Sequence, residues 1–196
     1  QLKVKNIPWK YFSSGSGKTA ILFLTGGIGI SEIYFLHIME FENSYKIIAP
    51  TYPAVSTISE LIDGIVEILN KEKIKKVNII GASFGGILAQ CIAEKHPEIV
   101  ASLTLSNTAS SIVDFPQTEK VKRIKSLKKI LKVTAFMPSI ILRPFFLKKL
   151  SKLAVETGRE RKFWHAFFKE AIFYKISKGA SLSLVKCMLD FAENYS

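Results

Sequence analysis

The 196-residue sequence, 48% hydrophobic and 22% charged, suits one globular domain with room for an inserted subdomain and excludes a disordered chain. Its formal net charge of +12 is uneven: residues 1–109 hold ten Lys/Arg against nine Asp/Glu, whereas 110–196 hold eighteen against seven. That asymmetry sets a composition boundary near Ala109.

No apolar run approaches the ~18 residues of a membrane span, and the first dozen residues lack the apolar segment of a signal peptide. Cys91 and Cys187 sit in apolar helical patterns without metal-ligand spacing, which predicts two reduced core cysteines in a cytoplasmic protein. Leu2–Ile7 and Trp9–Phe12 read as two short antiparallel strands broken at Pro8. The GSGKT stretch that follows is a turn. A phosphate loop would need a glycine where Phe12 stands, and a helix rather than a strand after it.

A strand is expected over Ala20–Thr25, whose Ile21-Leu22-Phe23-Leu24 is a continuous apolar run, as a central strand covered on both faces requires. The loop Thr25-Gly26-Gly27-Ile28-Gly29 leads into a helix over Ser31–Glu42, and Tyr45–Ala49 reads as the next buried strand. Pro50 and Pro53 punctuate the loop after it. A helix over Thr57–Lys73 opens on capping-box spacing, Thr57 to Glu60, and carries Ile58, Leu61, Ile62, Ile65, Ile68 and Leu69 on one face. Strand and helix alternate up to Leu105, which specifies a largely parallel, doubly wound sheet with right-handed crossovers.

The most informative stretch is Val77–Leu105. A β-branched run ends in Gly81-Ala82-Ser83-Phe84-Gly85, an amphipathic helix follows to Pro97, and a second apolar run begins at Ala101. Strand, glycine-flanked serine and helix together form the context that a G-x-S-x-G turn requires. The serine is held in a strained conformation that lifts its hydroxyl off the sheet, and the residues two places either side must lack a Cβ. The helix start behind Ser83 presents N–H groups that stabilise negative charge on a substrate oxygen.

On IIGASFGG, the continuation AEKHPEIVASLTLSN and the earlier LFLTGGIG, the chain resembles the α/β-hydrolase superfamily from about Trp9 onward. The resemblance implies the α/β-hydrolase fold, a serine nucleophile at Ser83, and an oxyanion hole made by the N–H groups of Gly27 and Phe84. It implies an ester or related acyl substrate, with no cofactor and no metal. Where the family usually has His-Gly, this chain has Thr25-Gly26, a departure that bears on the loop's fine geometry.

From residue 110 onward strands disappear. Thr118–Ala135 carries Val121, Ile124, Leu127 and Leu131 on one side and lysines on the other. Pro138 and Pro144 are expected to break up FMPSIILRPFFL, and helices are expected over Gly158–Ser177 and Ser181–Asn194. An all-helical insertion after the sixth strand is where the superfamily carries its cap. The domain division is therefore 1–109 for the core and 110–196 for the cap. The stretch MPSIILRPFFLKKL after LSNTASS is also maspardin-like, which implies a second reading: a non-catalytic binding protein that keeps the hydrolase fold.

The catalytic order Ser, acid, His needs a base that His37, His96 and His165 supply poorly; Asp114 is an outside candidate for a displaced acid. In the superfamily the acid and base lie on loops after the last two strands, beyond the cap. The expectation is a chain without its last two strands, either a fragment with acid and base beyond residue 196 or a degenerate member. The basic cap, with Phe and Trp interleaved, could associate weakly with anionic membrane, or its lysines simply face water. No nucleic-acid recognition motif accompanies the charge.

Overall fold

A computed structural model describes residues 2–109, 116–151 and 158–195. Six strands form one sheet in the order β1-β2-β4-β3-β5-β6. They span Leu2–Val4 (β1), Ile7–Ser14 (β2), Ala20–Leu24 (β3), Lys46–Thr51 (β4), Val77–Ala82 (β5) and Val100–Ser106 (β6). β3 pairs parallel with β4 and β5, and β5 with β6, while β1 and β2 are antiparallel. The expected mostly parallel sheet is present, with its antiparallel edge at the N-terminus.

The first hairpin turns at Lys5-Asn6, not at Pro8, with positive φ at both residues (48° and 67°). Consecutive positive φ values suit the right-handed twist of a tight hairpin, and asparagine tolerates them. Pro8 sits within β2 opposite Lys3. Pairing of β2 with β4 begins only at Lys10, so β4 needs no N–H from Pro8. β4 also runs further than the prolines suggest: Pro50 lies in it opposite Tyr11, past the last β3 partner at Ile48.

Between the strands lie α1 (Phe35–Phe41, entered through a tight turn at Ser31–Tyr34), α2 (Ile58–Lys71) and α3 (Phe84–Lys95). The predicted capping box forms: Thr57 Oγ1 accepts from the Glu60 N–H at 3.2 Å, while Glu60 accepts from the Thr57 N–H at 3.0 Å. All six apolar residues named for the α2 face are buried against β3, β4 and β5 in one core cluster. Cys91 and Cys187 are free and buried in the same cluster.

The C-terminal helices are α4 (Gln117–Phe136), α5 (Ser139–Ser151), α6 (Gly158–Glu170, prolonged by a wide turn at Ala171–Lys175) and α7 (Lys178–Asn194). Pro138 does separate α4 from α5, its carbonyl accepting from the N–H groups of Ile141 and Leu142 at 3.0 and 3.2 Å. Pro144 does not break α5 but lies inside it. There the helix continues despite the lost bond. α5 packs on α6 and the turn after it, with the Arg143 guanidinium 5.8 Å from the centre of the Phe173 ring. α7 joins the core: Cys187 and Phe191 belong to the same cluster as β3 and α2. Asp190 accepts from the Ile58 N–H at 2.8 Å, adding negative charge at the start of α2.

Among the described residues, no helix is long and apolar enough to cross a membrane, and no group of three or more His, Cys, Asp or Glu could hold a metal ion.

Candidate active site

The strand order reverses at β3: the chain steps outward to β4, then returns to the other side as β5. Ligands in such sheets bind beyond the carboxyl ends of the strands at this switch. The Gly26-Gly27 loop leaves β3 there and Ser83 leaves β5 beside it.

Ser83 has φ 53° and ψ −118°, far from the regions open to a residue with a side chain. Such strain persists only where the surroundings enforce it, and here they are identifiable. The Ser83 N–H donates to Ser106 on β6 at 3.0 Å. Its carbonyl accepts from Gly86 and Ile87 in the first turn of α3, at 3.0 and 3.3 Å, and from the Thr108 hydroxyl at 2.7 Å. Gln90 then ties the Gly86 carbonyl to that of Ala109, at 3.0 and 2.9 Å. The glycines permit the crossing of strand and helix. A Cβ at Gly81 would lie 2.5 Å from the Gly85 carbonyl oxygen, and one at Gly85 would lie 2.0 Å from that of Leu24.

The loop after β3 packs directly on this turn, since a Cβ at Gly26 would stand 3.1 Å from the Ser83 Cβ. Two tyrosines brace it from behind. Tyr34 donates to the Leu24 carbonyl at 3.1 Å and Tyr52 to the Thr25 carbonyl at 2.9 Å. Burial pushes the Tyr34 phenol up to about 12 and the Tyr52 phenol well above its ordinary value, so both remain donors at neutral pH. Thr25, where the family usually has histidine, is 1% exposed and its hydroxyl finds no partner among the described residues.

Ser83 is exposed, Phe84 is buried, and Phe84 and Gly27 line a cavity of about 740 Å³ between the core and the C-terminal helices. That volume falls within the roughly 300–1,000 Å³ of small-molecule sites. Phe84 opens α3, so its N–H is one of those that no preceding helical turn engages. The aromatic residues of α6 do not line the cavity. Phe163, Trp164 and Phe167 instead stack around Phe35 of α1, at ring separations of 5.6 to 6.1 Å. Its apolar walls come from α5, α7 and the turn at 171–177, among them Leu142, Phe146, Leu184 and Ile172, with charged and hydroxyl side chains between them.

None of the three histidines contacts Ser83 among the described residues. His96 follows the far end of α3 and bonds Glu98 at 3.1 Å; His165 bonds Ser151 at 3.0 Å; His37 packs on the rings of Phe23 and Tyr34. Asp114 lies outside the described residues. Sequence reasoning missed the bracing set of Tyr34, Tyr52, Gln90 and Thr108. Only Asn107 offered a signal, as a residue that tolerates its positive φ of 46° and so returns the chain to Ser83.

Residues 19–128 match the alpha/beta hydrolase fold family. The chain belongs to that family. Maspardin of Danio rerio is 30% identical over 154 residues, which cover 76% of this chain and 46% of that protein. The 2-hydroxymuconate semialdehyde hydrolase of Pseudomonas sp. (strain CF600) is 26% identical over 147 residues, 65% of this chain and 51% of the enzyme. The α/β-hydrolase chain therefore spans about half the length of these relatives. A carboxylesterase structure from Nitrososphaera gargenis superposes with a TM-score of 0.71 at 20% identity, covering 97% of this chain and 72% of that one. This likeness carries the fold.

Proposed function

We propose that the full-length protein is a serine hydrolase of the α/β-hydrolase fold that acts on an ester or related acyl substrate. Ser83 attacks the carbonyl carbon, and the N–H groups of Phe84 and Gly27 receive the charge that develops on its oxygen. An acid and a base from beyond residue 196 complete the site. The base takes the Ser83 proton, and the alcohol or thiol leaves as the acyl–serine bond forms; water then releases the acid. The observation carrying this reading is the strained Ser83 at the head of α3, with the Gly26 loop packed on its Cβ. A fluorophosphonate probe on the full-length protein tests it: labelling should occur and vanish in Ser83→Ala. A folded protein that does not label, or labelling that survives the substitution, ends the proposal.

A second reading, a binding protein that keeps the fold without catalysis, is supported by two observations. Thr25 stands in place of the family's histidine, and His37, His96 and His165 are all engaged elsewhere. Native sequence beyond residue 196 that lacks a histidine after the last strand would favour it.

A further inference from the structure

The cavity beside Gly27 and Phe84 is one-sided in charge. Against its aliphatic wall of residues such as Ile28, Leu142, Leu150 and Ile172 stand five cations: Lys10, Arg143, Lys149, Lys175 and Lys178. Among the described residues that line it there is no Asp or Glu. One cation is already matched, since Lys175 bonds Glu32 at 2.8 Å. Lys178 donates to the Ala135 carbonyl at 2.7 Å, an acceptor that cancels no charge. Arg143 lies over the Phe173 ring, and both Arg143 and Lys178 are half-buried. A cation drawn partly out of water beside apolar surface is unfavourable until an anion joins it. The apolar wall meanwhile favours a hydrocarbon chain.

We infer that this cavity binds an amphipathic anion: an apolar chain against the aliphatic wall, with a carboxylate or phosphate group held by Arg143 and Lys178. The fate of that ligand rests on the serine-hydrolase reading, under which the substrate is an acyl ester or thioester bearing an acidic group. Its binding does not.

The test is calorimetric titration of the full-length protein with dodecanoate, dodecyl phosphate and dodecanol, which share one chain and differ in head group. At least one of the two anions should bind about tenfold or more tightly than the alcohol, and the better of them names the head group. The preference should weaken with added salt. It should fall about tenfold in Arg143→Gln/Lys178→Gln while dodecanol affinity, which reports a folded cavity, stays unchanged. Lys122, exposed on α4 and outside the cavity, is the control, and Lys122→Gln should leave the preference intact. Dodecanol binding as tightly as both anions overturns the inference. So does a preference that survives the double substitution, or one that Lys122→Gln erases equally. Ser83→Ala should retain the preference. Anion binding without fluorophosphonate labelling therefore removes only the catalytic reading, and labelling without anion preference removes only this one.

Discussion

Gly85→Ala tests whether the turn at Ser83 is enforced by packing. The substitution adds one methyl group to the second residue of α3, where alanine would ordinarily favour the helix by about 1 kcal/mol. Here the added Cβ would lie 2.0 Å from the Leu24 carbonyl oxygen, 2.4 Å from its carbon and 2.7 Å from the Thr25 oxygen. All three are main-chain atoms at or just past the end of β3, where Leu24 is still paired with Gly81 of β5. No side chain can rotate away. The nearest contact is about 1.4 Å short of ordinary van der Waals separation, so helix and strand must part. Overpacking usually costs about 1–3 kcal/mol, and this geometry belongs at or above the upper end. We expect a loss of ~3 kcal/mol or more, a large share of a typical 5–15 kcal/mol stability, measured by urea unfolding followed by circular dichroism. Gly27→Ala is the control. Its Cβ meets only Leu184 Cδ2 at 3.3 Å, the end of a flexible side chain, so the expected loss is below about 0.5 kcal/mol. A Gly85→Ala protein within about 0.5 kcal/mol of the parent would refute the packing argument.

Thr25→Val should raise stability by about 1 kcal/mol, because it removes a buried hydroxyl without a partner and keeps the shape; a lower unfolding midpoint would mean that the hydroxyl is used. Ser83→Gly should be more stable than Ser83→Ala by ~1 kcal/mol or more, since only glycine adopts the observed φ and ψ without strain; equal stabilities would contradict the strain. Glu72 is pulled upward by burial but more strongly downward by Lys46, Tyr11 and Ser13, leaving its pKa below the ordinary value of 4.5. Its contribution is therefore complete above that value and is lost as pH falls through the folded pKa. Glu72→Gln should cost about 1–2 kcal/mol at pH 7, with the gap closing in acid; a pH-independent gap would sink this account. Residues 117–151 hold ten Lys/Arg against one Glu, and Phe136, Ile140 and Phe145 at the α4–α5 corner are 86%, 79% and 64% exposed. We expect the full-length protein to sediment with phosphatidylserine vesicles at low salt and to be released at high salt, and absence of binding at low salt would exclude membrane association.

The parallel core was legible because each element carried its own local signal. The α2 face follows a 3.6-residue period, and its start is fixed by one Thr–Glu pair that forms the predicted bonds. Proline marks a boundary less faithfully. Pro8 and Pro50 sit in strands at positions beyond a neighbour's register, and Pro144 sits inside a helix held by its packing. Proline removes one donor and restricts one angle, and whether that ends an element depends on partners that only tertiary structure assigns.

The same division runs through the site. Ser83 could be named because a strained turn between strand and helix demands glycine at fixed offsets, a requirement written within five residues, whereas Gly27 and Phe84 were named through the resemblance to the family's oxyanion loop. The tyrosines that brace the loop, and the cations of the cavity, carry no such spacing. Arg143 and Lys178 are 35 positions apart, and each reads as one more basic residue in a lysine-rich chain. The α6 aromatics serve attachment instead. Phe163, Trp164 and Phe167 pack on Phe35 of α1, and together they fasten the helical segment to the core. Removing Phe35 should therefore loosen that segment without reshaping the aliphatic wall. The chemistry of the cavity is set by residues that read as ordinary lysines, arginines and aliphatics in the sequence, and its attachment by the aromatics of α6.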